Sequence, residues 1–283
     1  MSPRGLTLAL VAAFAMSCGG GPAPKKTTER KSGGGLADAL AEKAAEAAGP
    51  KAVITLALFS TEAAPDDADK AARAMTLKAA QWLKAPSGRW QGVAPEGIPP
   101  EIMVIPMDKS ALPFNVEALM AEAGPHAKSL AEARSVIFVR YTGKALDGDA
   151  QVKGVSAVAG MLADAHTAPV TDLSTLKTFG ADAWHTVLTS GDWRKVQVHV
   201  SAELGPDGLG MFRTRGMAKF ALPDLERGGI PEEKARVAFT QFQAIYQALV
   251  AHGPAAPGDT VGGVKLKACA GPAELYDQGC VSY

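Results

Sequence analysis

Four polar residues in the last third of the chain, His199, Glu203, Arg213 and Arg215, have the types and spacing to hold a ligand. From Lys195 to Glu203 the chain alternates: Val196, Val198, Val200 and Ala202 face one way, and Gln197, His199, Ser201 and Glu203 the other. After the turn LGPDGLG, residues 211 to 220 alternate again, with Phe212, Thr214, Gly216, Ala218 and Phe220 opposed to Arg213, Arg215 and Lys219. Such a period of two marks strands with one dry and one wet face. For the dry faces to coincide in an antiparallel hairpin, like parities must pair, for instance Ser201 with Arg213 and His199 with Arg215. The wet face then offers two guanidinium forks suited to a carboxylate or phosphate. The plainer account has Glu203 occupying them as an exposed cross-strand ion pair of little energetic weight.

The remaining candidates are weaker. Ser174 and Lys177 satisfy a serine-x-x-lysine spacing that can set an amine beside a nucleophilic hydroxyl, but its companion motifs are missing and a turn with a solvent lysine is the simpler reading. Asp164, His166 and Asp172 could converge where a helix returns to a strand, a plausible shell for a divalent metal, and Asp182, His185 and Asp192 invite the same suggestion. More often such residues cap helices and line polar loops. His126 and His252 have no partner that spacing identifies. Gly205, Gly208 and Gly210 join two strands rather than a strand to a helix, so they read as a hairpin turn and not as a dinucleotide fingerprint. There is no H-E-x-x-H, G-x-S-x-G or C-x-x-C, and no complete phosphate loop. No cofactor and no metal are expected.

The first 17 residues, MSPRGLTLALVAAFAMS, carry one early cation, Arg4, and then the apolar run Leu6 to Met16. Such a run spans only about half of a bilayer's hydrocarbon core, which suits a signal-peptide core better than a permanent span. Ala15, Met16 and Ser17 leading to Cys18 resemble the lipobox of bacterial lipoproteins. The resemblance covers about the first twenty residues. It implies diacylglyceryl transfer to the Cys18 sulfur, cleavage before Cys18 and acylation of the new amino group. Gly19 is not the aspartate that resembles an inner-membrane retention signal, so the resemblance favours the outer membrane, facing the periplasm. Two or three buried chains hold a soluble body durably where one does not. The alternative is a conventionally cleaved exported protein in which Cys18 is incidental.

Lipidation would remove Cys18 from an odd total of three cysteines and leave Cys269 and Cys280 as a pair. In an oxidising compartment they are expected to form a disulfide across AGPAELYDQG, worth roughly 3 kcal/mol in the chain-entropy model. A zinc site is the rival, with two cysteines and no nearby histidine leaving its shell incomplete.

The elements that must position these groups are legible in outline. Residues 18 to 35 form the lipidated start and a tether rich in Gly, Pro and Lys, without a large apolar side chain from Gly19 onward and expected to be flexible. Its cations Lys25, Lys26, Arg30 and Lys31 outnumber Glu29 and could approach anionic headgroups, although a solvated spacer is the blander view. The body is expected over 36 to 283, as one globular unit or two subdomains dividing near 175 to 192. It opens with an alanine-rich helix over 36 to 48, a buried strand over 52 to 60 and an amphipathic helix over 66 to 84 with Asp66 and Asp67 at its positive end. A surface loop is expected over 85 to 100 and strands over 101 to 107, 135 to 141 and 168 to 173. Helices are expected over 116 to 133, broken at Gly124-Pro125, and over 150 to 165. A long last helix follows Pro231, Glu232 and Glu233, and a final strand is expected over 261 to 268. The fold class is therefore α+β or mixed α/β: a mixed sheet covered by helices, an antiparallel hairpin near 195 to 220 and a long C-terminal helix.

Formal charge is 0 and aromatic residues make up 6%, so no global field or basic, aromatic-rich surface gathers nucleic acid. The expected partners are the membrane, through the acyl chains, and an envelope protein or small anionic ligand. The leading reading is a cell-envelope lipoprotein whose body binds without catalysis; the alternative is an envelope hydrolase with a site assembled from dispersed His, Asp and Arg residues.

Overall fold

The computed structural model describes residues 51–94, 101–191, 193–204, 208–253, 255–269 and 280–283. The leader, Cys18, the tether and the helix expected over 36–48 lie outside the described residues. The apolar run that follows forms strand β1 (Lys51–Ser60). Helix α1 (Ala68–Lys84) comes next, and the carboxylate of Asp67 caps it by accepting the Lys70 amide at 2.9 Å. β2 (Ile102–Asp108) leads to the short helices α2 (Glu117–Glu122) and α3 (Ala127–Glu132), separated by a 3₁₀ turn at Gly124–His126 where the break was expected. Then come β3 (Ser135–Lys144), α4 (Ala150–His166), β4 (Val170–Asp172) and β5 (Lys177–Phe179).

These strands make an antiparallel sheet in the order β2-β3-β1-β4-β5. β1 lies at its centre and pairs with β3 along its full length, which is why its sequence is apolar on both faces. Ile54, Leu56 and Leu58 face the side covered by α1 and α4, while Ala57 and Phe59 meet Leu119 and Leu130 of α2 and α3. The helices thus sandwich the sheet.

The chain continues through α5 (Ala181–Thr189) and the short α6 (Trp193–Val196) into β6 (His199–Leu204), β7 (Gly210–Arg215) and β8 (Asp224–Ile230). After these comes α7 (Ala235–His252), followed by β9 (Thr260–Val261), β10 (Val264–Lys265), β11 (Lys267–Ala268) and β12 (Cys280–Ser282). A second sheet runs β11-β12-β8-β7-β6, with β12 parallel to β8 and the other pairs antiparallel. α7 packs on it: Phe212 of β7 lies 5.4 Å from Phe239 and 5.8 Å from Phe242, ring centre to ring centre. The molecule is the mixed α/β fold that the sequence predicts, with its strands divided between two sheets.

The hairpin register is the predicted one, His199 opposite Arg215 and Ser201 opposite Arg213, but both strands are shorter than expected. Residues 193–196 are helical and Gln197 and Val198 are buried, so the strand expected from Lys195 begins only at His199. β7 stops at Arg215, before Gly216, whose φ of 98° would strain any other residue and whose Cβ, if present, would lie 2.7 Å from the Gln197 carbonyl oxygen. A 3₁₀ turn, Met217–Phe220, follows and turns Lys219 inward. Lys219, expected on the wet face, is therefore fully buried.

Two further expectations are corrected. The final strand over 261–268 is three short pieces, because Gly262 and Gly263, at φ 57° and 80°, turn β9 back onto β10. The loop over 85–100 is not wholly on the surface: Gly88–Trp90 forms a 3₁₀ turn that buries the Trp90 ring against Gly160 of α4.

Candidate functional site

β6 is the edge strand of the second sheet, and a cleft of about 1030 Å³ follows it. All six residues of β6, His199 to Leu204, line this cleft. Side chains of a strand alternate between faces, so a pocket on one face would be lined by every second residue. A cleft lined by consecutive residues wraps the strand's edge, which no other strand pairs among the described residues. One wall, on the side of His199, Ser201 and Glu203, includes Glu122 at the end of α2 and Thr175 and Leu176 in the β4–β5 turn. The other, on the side of Val200, Ala202 and Leu204, includes Phe212, Ile230 and Ala235. At the hairpin tip Leu204 is 69% and Leu209 38% exposed.

Of the four residues that the alternation singled out, three meet in this cleft. Arg215 lies 3.6 Å from Glu203 in a loose ion pair along the hairpin, and His199 sits beside them. Arg213 leaves the set: its guanidinium donates to Glu226 on β8 at 2.7 and 3.0 Å, a half-buried pair inside the sheet. The sequence could not foresee this because no strand was predicted at β8. Partial burial holds the His199 pKa below its ordinary value; Lys177 and Arg215 push the same way, and Glu122 pulls back less strongly. His199 therefore sits in a locally positive field, yet it makes no hydrogen bond to an acid among the described residues. The cleft lining as a whole carries three carboxylates, Glu122, Glu203 and Glu232, against the guanidinium of Arg215.

Behind the cleft lies a buried ion pair. Lys219 donates to Asp172, to the Gln197 carbonyl oxygen at 2.8 Å and to Gln197 Oε1 at 3.2 Å. Asp172 also accepts the Ser174 hydroxyl at 2.7 Å and its amide at 3.1 Å, so Ser174 serves the turn and not Lys177, which belongs to β5. Burial lowers the Lys219 pKa from the usual lysine value, with Asp172 opposing. The Lys219 side chain has no exposure to solvent, so it is a joint between the two sheets and cannot meet a substrate.

The two suggested metal shells are dispersed. Asp172 is taken by Lys219, and His166 Nδ1 lies 2.9 Å from Glu62. Asp164 accepts from Arg89 and, at 2.7 Å, from the Trp90 indole. Asp182 also accepts from Arg89, and His185 Nε2 meets the Arg89 carbonyl oxygen at 2.6 Å; Asp192 lies outside the described residues. Arg89 thus draws together one acid from each suggested shell, a function the sequence reading missed. The available clue was Trp90, a large ring in a polar loop that had to be buried somewhere. His126 sits near Gly180, and His252 closes α7.

Cys269 and Cys280 form the expected disulfide, which ties the end of β11 to the start of β12. Glu226 reaches within 4.8 Å of both sulfurs, but a disulfide has no thiolate to offer a metal. Among the described residues no helix is long and apolar enough to cross a membrane. Comparison with protein-family models, with curated proteins and with solved structures finds no match for this chain.

Proposed function

We propose that the protein is a cell-envelope lipoprotein, held by acyl chains on Cys18 at the periplasmic face of the outer membrane, whose body binds another envelope protein without catalysis. The carrying observation is the cleft along β6, open at its tip to the exposed Leu204 and Leu209. Exposed apolar side chains beside an unpaired strand edge are features of recognition surfaces. Three carboxylates in the lining weigh against a small anion as the main occupant. The hydrolase alternative needs an imidazole held by an acid inside the cleft. Among the described residues His199 has no hydrogen bond to such an acid, and the His166–Glu62 pair is not among the residues lining the cleft. The anchoring half of the proposal rests on the lipobox-like Ala15 to Cys18 and on the tether that follows.

Three measurements test it. Cys18→Ser should move the protein from the membrane to the soluble fraction, and mass spectrometry of the native amino terminus should find an acylated cysteine; a free thiol there ends the anchoring proposal. A photo-crosslinking amino acid at Ser201 should give a discrete envelope-protein adduct that the same probe at Leu77, exposed on α1, does not. Identical adducts at the two positions would remove the cleft from consideration.

A further inference from the structure

We infer that the cleft binds its partner by strand addition: an extended polypeptide segment pairs with the edge of β6 that no other described strand occupies and places an acidic side chain beside His199 and Arg215. This inference rests on the reading of the cleft as a protein-binding site and specifies what enters it. Three features carry it. A strand at a sheet edge leaves alternate N–H and C=O groups without strand partners, a backbone template that reads no particular sequence. The cleft follows that edge along all six residues of β6, about 20 Å of extended chain at the strand rise. Walls rise on both sides, from Glu122 and Thr175 and from Ile230 and Ala235, so the opening suits a single extended segment better than the edge of a second folded sheet.

Charge sets which segment fits. At the start of β6 Lys177 and Arg215 act on His199 more strongly than Glu122 does, so this end of an otherwise acidic lining is where a carboxylate fits, in competition with Glu203 for Arg215. An acid on the incoming strand, facing the His199 side, meets these cations. On the opposite face Val200, Ala202 and Leu204 present apolar surface, so the alternate side chains of the incoming strand are apolar. The recognised pattern is thus apolar and polar in alternation over about six residues, with an acid near one end.

The probe is a library of acetylated, amidated hexapeptides that alternate apolar with polar residues and carry glutamate or glutamine at either end, panned against the mature full-length chain in detergent. Enriched sequences should carry glutamate at one end only, and its replacement by glutamine should weaken binding about threefold to fivefold, the range of a partly exposed ion pair. Arg215→Gln, with folding checked by circular dichroism, should erase that difference. N-methylation of one alternate set of peptide amides should abolish binding while the other set is tolerated, because only one set points at β6. Equal tolerance of the two sets overturns strand addition, as does the absence of any enriched sequence. If peptides fail while the Ser201 crosslink still finds its protein, the binding module stands and strand addition falls. If sedimentation shows a dimer broken by Ala202→Glu, the occupant is a second copy of this chain and the inference is wrong.

Discussion

Lys219 and Asp172 illustrate how much one buried pair can decide. Both side chains are essentially sealed from solvent, and the ammonium's other acceptors are the two oxygens of Gln197. A buried pair is costly to assemble and costlier to break, because the survivor is left charged without compensation. Asp172→Asn should therefore destabilise the protein by about 3 to 5 kcal/mol in urea unfolding, whereas replacing the pair together, as Asp172→Leu with Lys219→Met, should recover most of the loss. An equal loss in the double variant would show that the pair's surroundings matter more than its charge. His199 makes a second residue-level prediction. Its folded-state pKa is held below 6.5, so between that lowered value and 6.5 the unfolded chain binds a proton that the folded chain refuses. This share of stability is intact above pH 6.5, falls as pH drops through the window and levels off below the folded pKa. His199→Gln should flatten that part of the stability profile, and the wild-type imidazole should titrate below 6.5 by NMR.

At the scale of elements, α4 shows why small residues appear where they do. A Cβ at Gly160 would stand 1.9 Å from the Trp90 ring, so Gly160→Ala must displace the ring or the helix. We expect a loss of about 1 to 3 kcal/mol, as for overpacked cores. Quenching of Trp90 fluorescence should also change as the indole leaves Asp164; unchanged emission would mean that the helix moves instead. This contact also marks where sequence reading stops. β1 and β3 were legible as apolar runs of strand length, α1 and α7 by their helical period and α4 by its run of small residues, and the β6–β7 register followed from parity alone. β8 was missed: DLERGGI has neither alternation nor a continuous apolar run, and it is a strand because β7 and β12 flank it. Arg89, Asp164 and Asp182 were missed as a group because 75 and 93 residues separate the arginine from its acids. Lys219 was misplaced because the alternation continues in the letters beyond Gly216, while the backbone turns there. In the candidate site, the sequence could supply His199, Glu203 and Arg215 as neighbours, but not the cleft, whose walls come from α2 and the β4–β5 turn on one side and from β7, β8 and the start of α7 on the other.

For the molecule as a whole, the question is whether the two sheets are one cooperative unit or the two subdomains suggested by a division near 175 to 192. The largest apolar cluster answers in physical terms. It joins Ile54 and Leu56 of β1 to Met217, Leu222 and Leu225 beyond β7, and to Phe242 and Ile245 of α7, without a break between the sheets. The 3₁₀ turn that buries Lys219 packs directly on β1, and Gln151 of α4 donates to the Lys219 carbonyl oxygen at 3.1 Å. Opening the joint would expose this apolar surface and strand the Lys219–Asp172 charges together, so neither sheet retains a closed core alone. Calorimetry on the mature chain should accordingly show one transition whose van't Hoff and calorimetric enthalpies agree. Two resolved transitions, or native-like exchange protection of β1 in a fragment ending at residue 191, would instead assign each sheet its own stability and make the joint a hinge.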